Sequence, residues 1–195
     1  MKTFSGRRAS QREDELKGFV DMLKDWCTMS YLEIGARHGD TFHHVMSALP
    51  KGSVGVAVDL PGGAWGTDKS AEHLVRAAED LTRNGYHVDV IFGDSTSKRV
   101  LDEIRTYRKF DAILIDGDHR YDGVKADWDA YQNLGRLVAF HDIDGDGQTT
   151  KDGRFLHVEV PKLWGEIKLE YDVIEFISPL RGMGLGIVMM DDKPW

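Results

Sequence analysis

Short, largely apolar runs, interrupted only by Glu33 and Asp89, recur along the chain at residues 31–34, 54–58, 88–92, 112–115 and 137–140. Runs without polar alternation are buried on both faces, as strands of a parallel sheet covered by helices are. The stretches between them, 42–49, 71–81, 100–107 and 124–134, carry apolar residues at helical spacing. Leu16, Phe19, Val20 and Leu23 show the same spacing ahead of the first run and predict an amphipathic helix over 11–26. After Asp142 the rhythm changes to a polar, glycine-rich loop running to Gly153, then a helix over 161–168 and two strands over 173–177 and 185–190. Only residues 178–184 separate those last strands, too few for a helical crossover, so they pair antiparallel. The pattern predicts an α/β fold: a doubly wound, mainly parallel, Rossmann-like sheet with helices on both faces and a C-terminal antiparallel hairpin. We expect one domain over 1–195, with 1–28 as an N-terminal helical extension.

Charge and composition narrow the function. A formal net charge of -8 over 195 residues gives no basic footprint for broad nucleic-acid binding. Cys27 is alone, which rules out an internal disulfide and suits a reducing compartment. Its neighbours Trp26 and Met29 predict a buried, inert thiol. No apolar run approaches the roughly 20 residues a membrane span requires, and residues 1–12 lack the apolar core of a secretory signal. A cytoplasmic protein without a membrane partner is expected. Oligomeric state has no signal in the sequence.

The ends of the predicted strands carry the chemistry, because open parallel sheets bind ligands at the carboxyl ends of their strands. The first ends in Glu33 and the loop Gly35-Ala36-Arg37-His38-Gly39, the second in Asp59-Leu60, the third in Asp94-Ser95. The fourth ends in Asp116-Gly117-Asp118-His119 and the fifth in His141-Asp142. Acids at helix starts also serve as caps, which accounts for Asp40, Thr41 and Ser95. It accounts poorly for Glu33 and Asp116, which lie in or at the end of apolar strands. Gly35 and Gly39 do not match the G-x-G-x-x-G of dinucleotide sites, and Glu33 would repel a pyrophosphate. The same carboxylate suits a ligand with an ammonium and a sulfonium. Asp59 stands near the offset of an acid that binds a ribose diol, and Asp94-Ser95 falls where an adenine would lie.

The segment Phe110-Asp111-Ala112-Ile113-Leu114-Ile115-Asp116-Gly117-Asp118-His119, continuing through Tyr121, Gly123, Val124 and Asp127, resembles class I S-adenosylmethionine-dependent methyltransferases. Within that class it is most similar to the macrocin O-methyltransferase and cephalosporin-hydroxylase-like branch, as are Phe140-His141-Asp142-Ile143. The resemblance spans roughly residues 29–190 and implies a cofactor site made of Glu33, Gly35, Ala36, Gly39, Asp59, Leu60, Asp94, Ser95 and Asp116. It implies Asp116 at the reaction centre and His119 as base. It further implies a divalent metal, Mg or Mn, at Asp116, His141 and Asp142, with histidine standing where related sugar methyltransferases carry an acid. A histidine ligand tilts a site away from magnesium. The activity implied is O-methylation of a hydroxyl on a small molecule or sugar. A nicotinamide-dependent oxidoreductase and a non-catalytic cofactor-binding module are the other readings. Asp142-x-Asp144-x-Asp146-Gly147 mimics an EF-hand start, but Gly153 occupies the place of its bidentate glutamate. The Pro61–Gly66 stretch with Trp65 reads equally as a lid or as an ordinary surface loop.

Overall fold

The computed structural model describes residue 4 and residues 11–62, 68–149, 155–180 and 182–190. The strands are β1 (Ser30–Ile34), β2 (Val54–Asp59), β3 (His87–Phe92), β4 (Phe110–Ile115), β5 (Gly135–His141), β6 (Gly147–Thr149), β7 (Phe155–His157), β8 (Val173–Phe176) and β9 (Leu185–Met189). The helices are α1 (Glu13–Asp25), α2 (Asp40–Ala48), α3 (Asp68–Arg83), α4 (Lys98–Ile104), α5 (Tyr121–Tyr131) and α6 (Val160–Ile167). One seven-stranded sheet runs in the order β3-β2-β1-β4-β5-β9-β8. β1 to β5 are mutually parallel, and β9 lies antiparallel to both β5 and β8. The predicted architecture is thus the observed one.

Two-sided burial explains the apolar runs. Leu32, Ile34, Val56, Val58, Ile113, Ile115, Val138 and Phe140 pack on one face of the sheet against residues of α4, α5 and α6, including Val100, Trp128 and Trp164. The alternating partners Tyr31, Ala57, Ala112, Leu114, Leu137 and Ala139 pack on the other face against Phe19, Leu23, Phe42, Met46 and Leu74 of α1, α2 and α3. A strand with both faces covered has no polar positions to alternate, hence the largely apolar runs.

Two expectations need correcting. The loop after Asp142 is not wholly irregular: β6 and β7 pair antiparallel, with Gly147 opposite His157 and Thr149 opposite Phe155. A three-residue ribbon of polar and glycine residues has too little periodicity to be read beforehand. Cys27 is exposed rather than buried. It follows the C-cap of α1 with φ 53°, in the left-handed region that ends many helices, and Thr28 N–H donates to Leu23 O at 3.0 Å. That reversal turns the thiol outward although its neighbours are apolar. Residues 63–66 of the suggested lid, Trp65 included, lie outside the described residues. No helix among the described residues is long and apolar enough to cross a membrane.

Candidate cofactor and reaction site

The order β3-β2-β1-β4-β5 makes β1 and β4 the pair from which the chain winds in opposite directions, the place where such sheets open a crevice at their carboxyl ends. The Asp116 N–H donates to Ile34 O at 2.9 Å, and the Gly35 N–H to Val58 O at 2.8 Å, so the loops after β1, β2 and β4 start in fixed relation. Gly35 has φ 86°, and a Cβ there would meet the Asp116 carbonyl oxygen at 2.2 Å. Only glycine lets the β1 loop pass so close to β4. Gly39 has φ 77° and caps α2, and its missing Cβ leaves room for Leu74 and Ala77 of α3. Ala36 is buried between them.

Glu33 is 1% exposed, and the Tyr31 hydroxyl donates to its Oε2 at 2.6 Å. Burial, reinforced by the charges of Asp116 and Asp59, lifts its pKa to about 8, so the free protein holds this carboxyl protonated at neutral pH. Asp59 ends β2 with Oδ1 accepting the Arg37 N–H at 2.9 Å. Its Oδ2 is buried without a hydrogen-bond partner. Burial raises the Asp59 pKa against the Arg37 N–H and charge. An orphaned acceptor of this kind is costly unless a ligand donor completes it. Leu60, next along, is exposed.

The loop after β3 is held from within. Asp94 Oδ1 accepts from both the N–H and the hydroxyl of Thr96 at 2.8 Å. Ser95 turns away toward α5: its hydroxyl donates to Asp127 Oδ1 at 2.5 Å, and its carbonyl accepts from the Tyr131 hydroxyl at 2.6 Å. Asp127 is 2% exposed, and burial lifts its pKa to about 6 despite the Ser95 bond. Helical spacing places 127 on the buried face with Val124, Trp128 and Tyr131, a signal available in the sequence that had been given no role.

Beyond β4 and β5 four side chains close on one another. Asp116 Oδ1 lies 3.3 Å from His119 Nε2 and 3.3 Å from His141 Nδ1. Asp142 reaches His119 Nδ1 at 3.1 Å and His141 Nδ1 at 3.3 Å. Burial alone would push both imidazoles down, but the Asp116 and Asp142 carboxylates outweigh it, holding His119 at about 10 and His141 at about 9. Burial likewise opposes the charge on Asp116, and the two histidines overcome that and keep its pKa well below the ordinary carboxylate range. In this state both imidazoles are cations, and a proton-accepting His119 requires some other cation to replace the protons. Asp142 has φ 60°, left-handed strain at a strand end in the middle of the cluster. Among the described residues no three or more of these types stand as a preformed metal cage; the four are paired as carboxylate and imidazolium.

The remaining contact on Asp116 comes from a residue that gave no sequence signal. Gln11, 8% exposed, donates from Nε2 to Asp116 Oδ2 at 3.0 Å, and its Oε1 accepts the Thr41 hydroxyl at 2.5 Å. It precedes α1, whose first residue is Glu13 rather than the predicted 11.

The motif around Asp116 has a packing logic of its own. Asp118 folds over Gly123, where a Cβ would meet Asp118 Cγ at 2.3 Å, while Arg120 Nε donates to Asp118 at 3.0 Å. Glu159, just before α6, accepts the Tyr121 N–H at 3.0 Å and so caps α5. Asp144 Oδ2 accepts the Gly182 N–H at 2.9 Å and ties the loop after β5 to the β8–β9 turn.

No curated protein matches the sequence. Among solved structures the chain is similar to an O-methyltransferase from Bacillus cereus in complex with SAH, at 17% identity and TM-score 0.69, covering 94% of this chain and 84% of that one. It is also similar to the O-methyltransferase TomG from Streptomyces achromogenes in complex with SAM, at 14% identity and TM-score 0.62, covering 95% and 84%. At these identities the likeness is one of fold. A family model described as a methyltransferase domain matches residues 32–143, more than half of the chain and all five parallel strand ends. The chain belongs to this methyltransferase-domain family.

Proposed function

We propose that this chain is an S-adenosylmethionine-dependent O-methyltransferase acting on a hydroxyl of a small molecule or sugar, within the macrocin and cephalosporin-hydroxylase-like branch. The observation that carries the cofactor is Asp59 Oδ2, buried and unpartnered at the end of β2, where a ribose hydroxyl would supply the missing donor. Glu33, Gly35, Ala36 and Gly39 take the amino-acid end, Leu60 flanks the ribose, and Asp94 and Ser95 flank the adenine. The fold neighbours with bound SAH and SAM are O-methyltransferases, which favours a hydroxyl acceptor. S-adenosylmethionine supplies a methyl already activated on sulfonium, so the chain's own work is in-line positioning and removal of the acceptor's proton.

Asp116, His141 and Asp142 are the groups that would hold a divalent ion once their carboxylate–imidazolium pairs open. His141 Nδ1 stands 3.3 Å from a carboxylate oxygen of each acid, and ligands bonded at about 2.1 Å are spaced about 3.0–3.4 Å from one another. A bound Mn²⁺ or Mg²⁺ would lower the pKa of an acceptor hydroxyl. With such an ion held by Asp116 and Asp142, His119 would lose its cationic state and would serve as the base. The test is calorimetric titration with S-adenosylmethionine and with NAD. Micromolar binding of the first and none of the second is expected; tighter binding of NAD sinks the reading in favour of an oxidoreductase.

A further inference from the structure

Gln11 has the position and chemistry of a ligand-binding residue. Its side chain connects Thr41, at the start of α2, with the Asp116 carboxylate. It comes from a polar stretch ahead of α1 and is nonetheless more than nine-tenths buried. A glutamine buried there merely as filler would cost the desolvation of its amide. Here both ends are used: the oxygen by the Thr41 hydroxyl, one N–H by Asp116 Oδ2. One amide hydrogen and one oxygen lone pair remain.

We propose that Gln11, with Thr41, is the residue that recognises the zwitterionic amino-acid end of the cofactor. The inference rests on the S-adenosylmethionine reading above. An α-amino acid group brings an ammonium and a carboxylate only a bond or two apart, and it has to be met between acids. Glu33 and Asp116 serve the ammonium. Neither serves the carboxylate, and a second carboxylate at position 11 would repel it. An amide offers an acceptor to the ammonium and a donor to the carboxylate while adding no net charge. The Thr41 hydroxyl in the first turn of α2 gives its single O–H to the Gln11 amide oxygen and so fixes which way the amide faces, at a helix end whose dipole favours a negative group. The Thr41–Gln11–Asp116 chain therefore holds the amide in place before the cofactor arrives, with one amide hydrogen and one lone pair left for it.

The experiment compares two ligands that differ only in that end: S-adenosylhomocysteine, and 5′-methylthioadenosine, which carries the same nucleoside thioether without an amino acid. Affinities are measured calorimetrically for the wild-type chain, Gln11→Ala and Thr41→Val. Both variants are expected to weaken S-adenosylhomocysteine about tenfold, the loss typical of a hydrogen bond to a charged group, and to leave 5′-methylthioadenosine within twofold. Gln11→Glu, close to isosteric, is expected to weaken S-adenosylhomocysteine further still and again to spare the nucleoside. Equal weakening of both ligands would reduce Gln11 to a structural role and overturn the inference, as would unchanged binding of both. A wild-type chain that binds neither ligand overturns the cofactor reading itself, a result visible before any variant is made.

Discussion

His141 Nδ1 stands 3.3 Å from Asp116 Oδ1 and 3.3 Å from Asp142 Oδ1, so one imidazole nitrogen bridges the carboxylates that end two adjacent strands. Register makes this possible: Ile115 pairs with Phe140, which brings Asp116 and His141 to the same level of the sheet. In the metal-free state the positive charge between those acids is a proton.

On the proposed metal reading, a divalent ion and those protons compete for one place. Adding Mn²⁺ to the wild-type chain at pH 8 is expected to raise its melting temperature, because a ligand that binds only the folded state stabilises it by mass action. Asp116→Asn and His141→Gln should show no such rise. A wild-type melting temperature unmoved by millimolar Mn²⁺ or Mg²⁺ would remove Asp116, His141 and Asp142 as ligands.

The two loop glycines separate by what surrounds them. At Gly35 a Cβ meets backbone atoms of Asp116 and Gly117 at 2.2–2.7 Å, atoms that cannot move without shifting β4. At Gly39 the nearest atom is Leu74 Cδ1 at 2.9 Å, the end of a flexible side chain. Gly35→Ala is therefore expected to cost more than about 3 kcal/mol and Gly39→Ala about 1–2 kcal/mol, mostly left-handed strain. Urea denaturation decides it, and equal losses at both sites would contradict the close approach of the β1 loop to β4.

The two-sided sheet was legible because burial on both faces leaves an unmistakable apolar run, and the C-terminal pair because seven residues cannot hold a crossover. The acids at the strand ends were legible because carboxylates are costly where Glu33 and Asp116 lie. The interactions that organise them were not. Gln11 reaches Asp116 across 105 positions, and nothing local marks one glutamine in a polar stretch as buried. Ser95 was legible as a strand-end residue, but the hold of Asp127 and Tyr131 on its hydroxyl and carbonyl was not, because that pairing depends on where α5 packs. The protonation of the histidines was hidden for the same reason, since it follows from two carboxylates that only the fold brings together.

Cys27 sits in a conformation that suits glycine. Its φ of 53° places a Cβ in the left-handed region, which costs a non-glycine residue roughly 1–2 kcal/mol. The side chain is exposed, so little packing is lost with it. Cys27→Gly is expected to stabilise the chain by about 0.5–1 kcal/mol after the entropy of the freer unfolded glycine is subtracted. In the wild type the thiol should react with Ellman's reagent in native buffer as completely as in denaturant. A protected thiol, or a Gly variant less stable than wild type, would contradict the outward turn after α1.

On the proposed cofactor reading, Glu33 couples stability to binding with opposite signs. Its folded pKa of about 8 lies above the 4.5 of a free glutamate, so the folded state retains a proton that the unfolded chain gives up. That contribution is fully present below pH 4.5 and is lost as pH rises through 8. At pH 7 the unfolded chain is already ionised and the folded one is not, a difference on the order of 3 kcal/mol against the fold. Glu33→Gln removes the titration and keeps an acceptor for the Tyr31 hydroxyl. It is expected to stabilise the chain near neutral pH by about 2 kcal/mol, raising the melting temperature by roughly 4–8 °C. The ammonium of the proposed cofactor favours the ionised carboxylate, so wild-type affinity for S-adenosylhomocysteine should strengthen from pH 6 to 8.5 with uptake of the released proton by the buffer. In Glu33→Gln the affinity should be weaker and the rise attributable to this carboxyl absent, leaving only what other groups contribute. A Gln variant that is no more stable, or that keeps the whole pH dependence of binding, would show that Glu33 is not the acid facing the ammonium. The expected pattern, a more stable chain that binds its cofactor less well, is the signature of a carboxyl kept in the core for its ligand rather than for the fold.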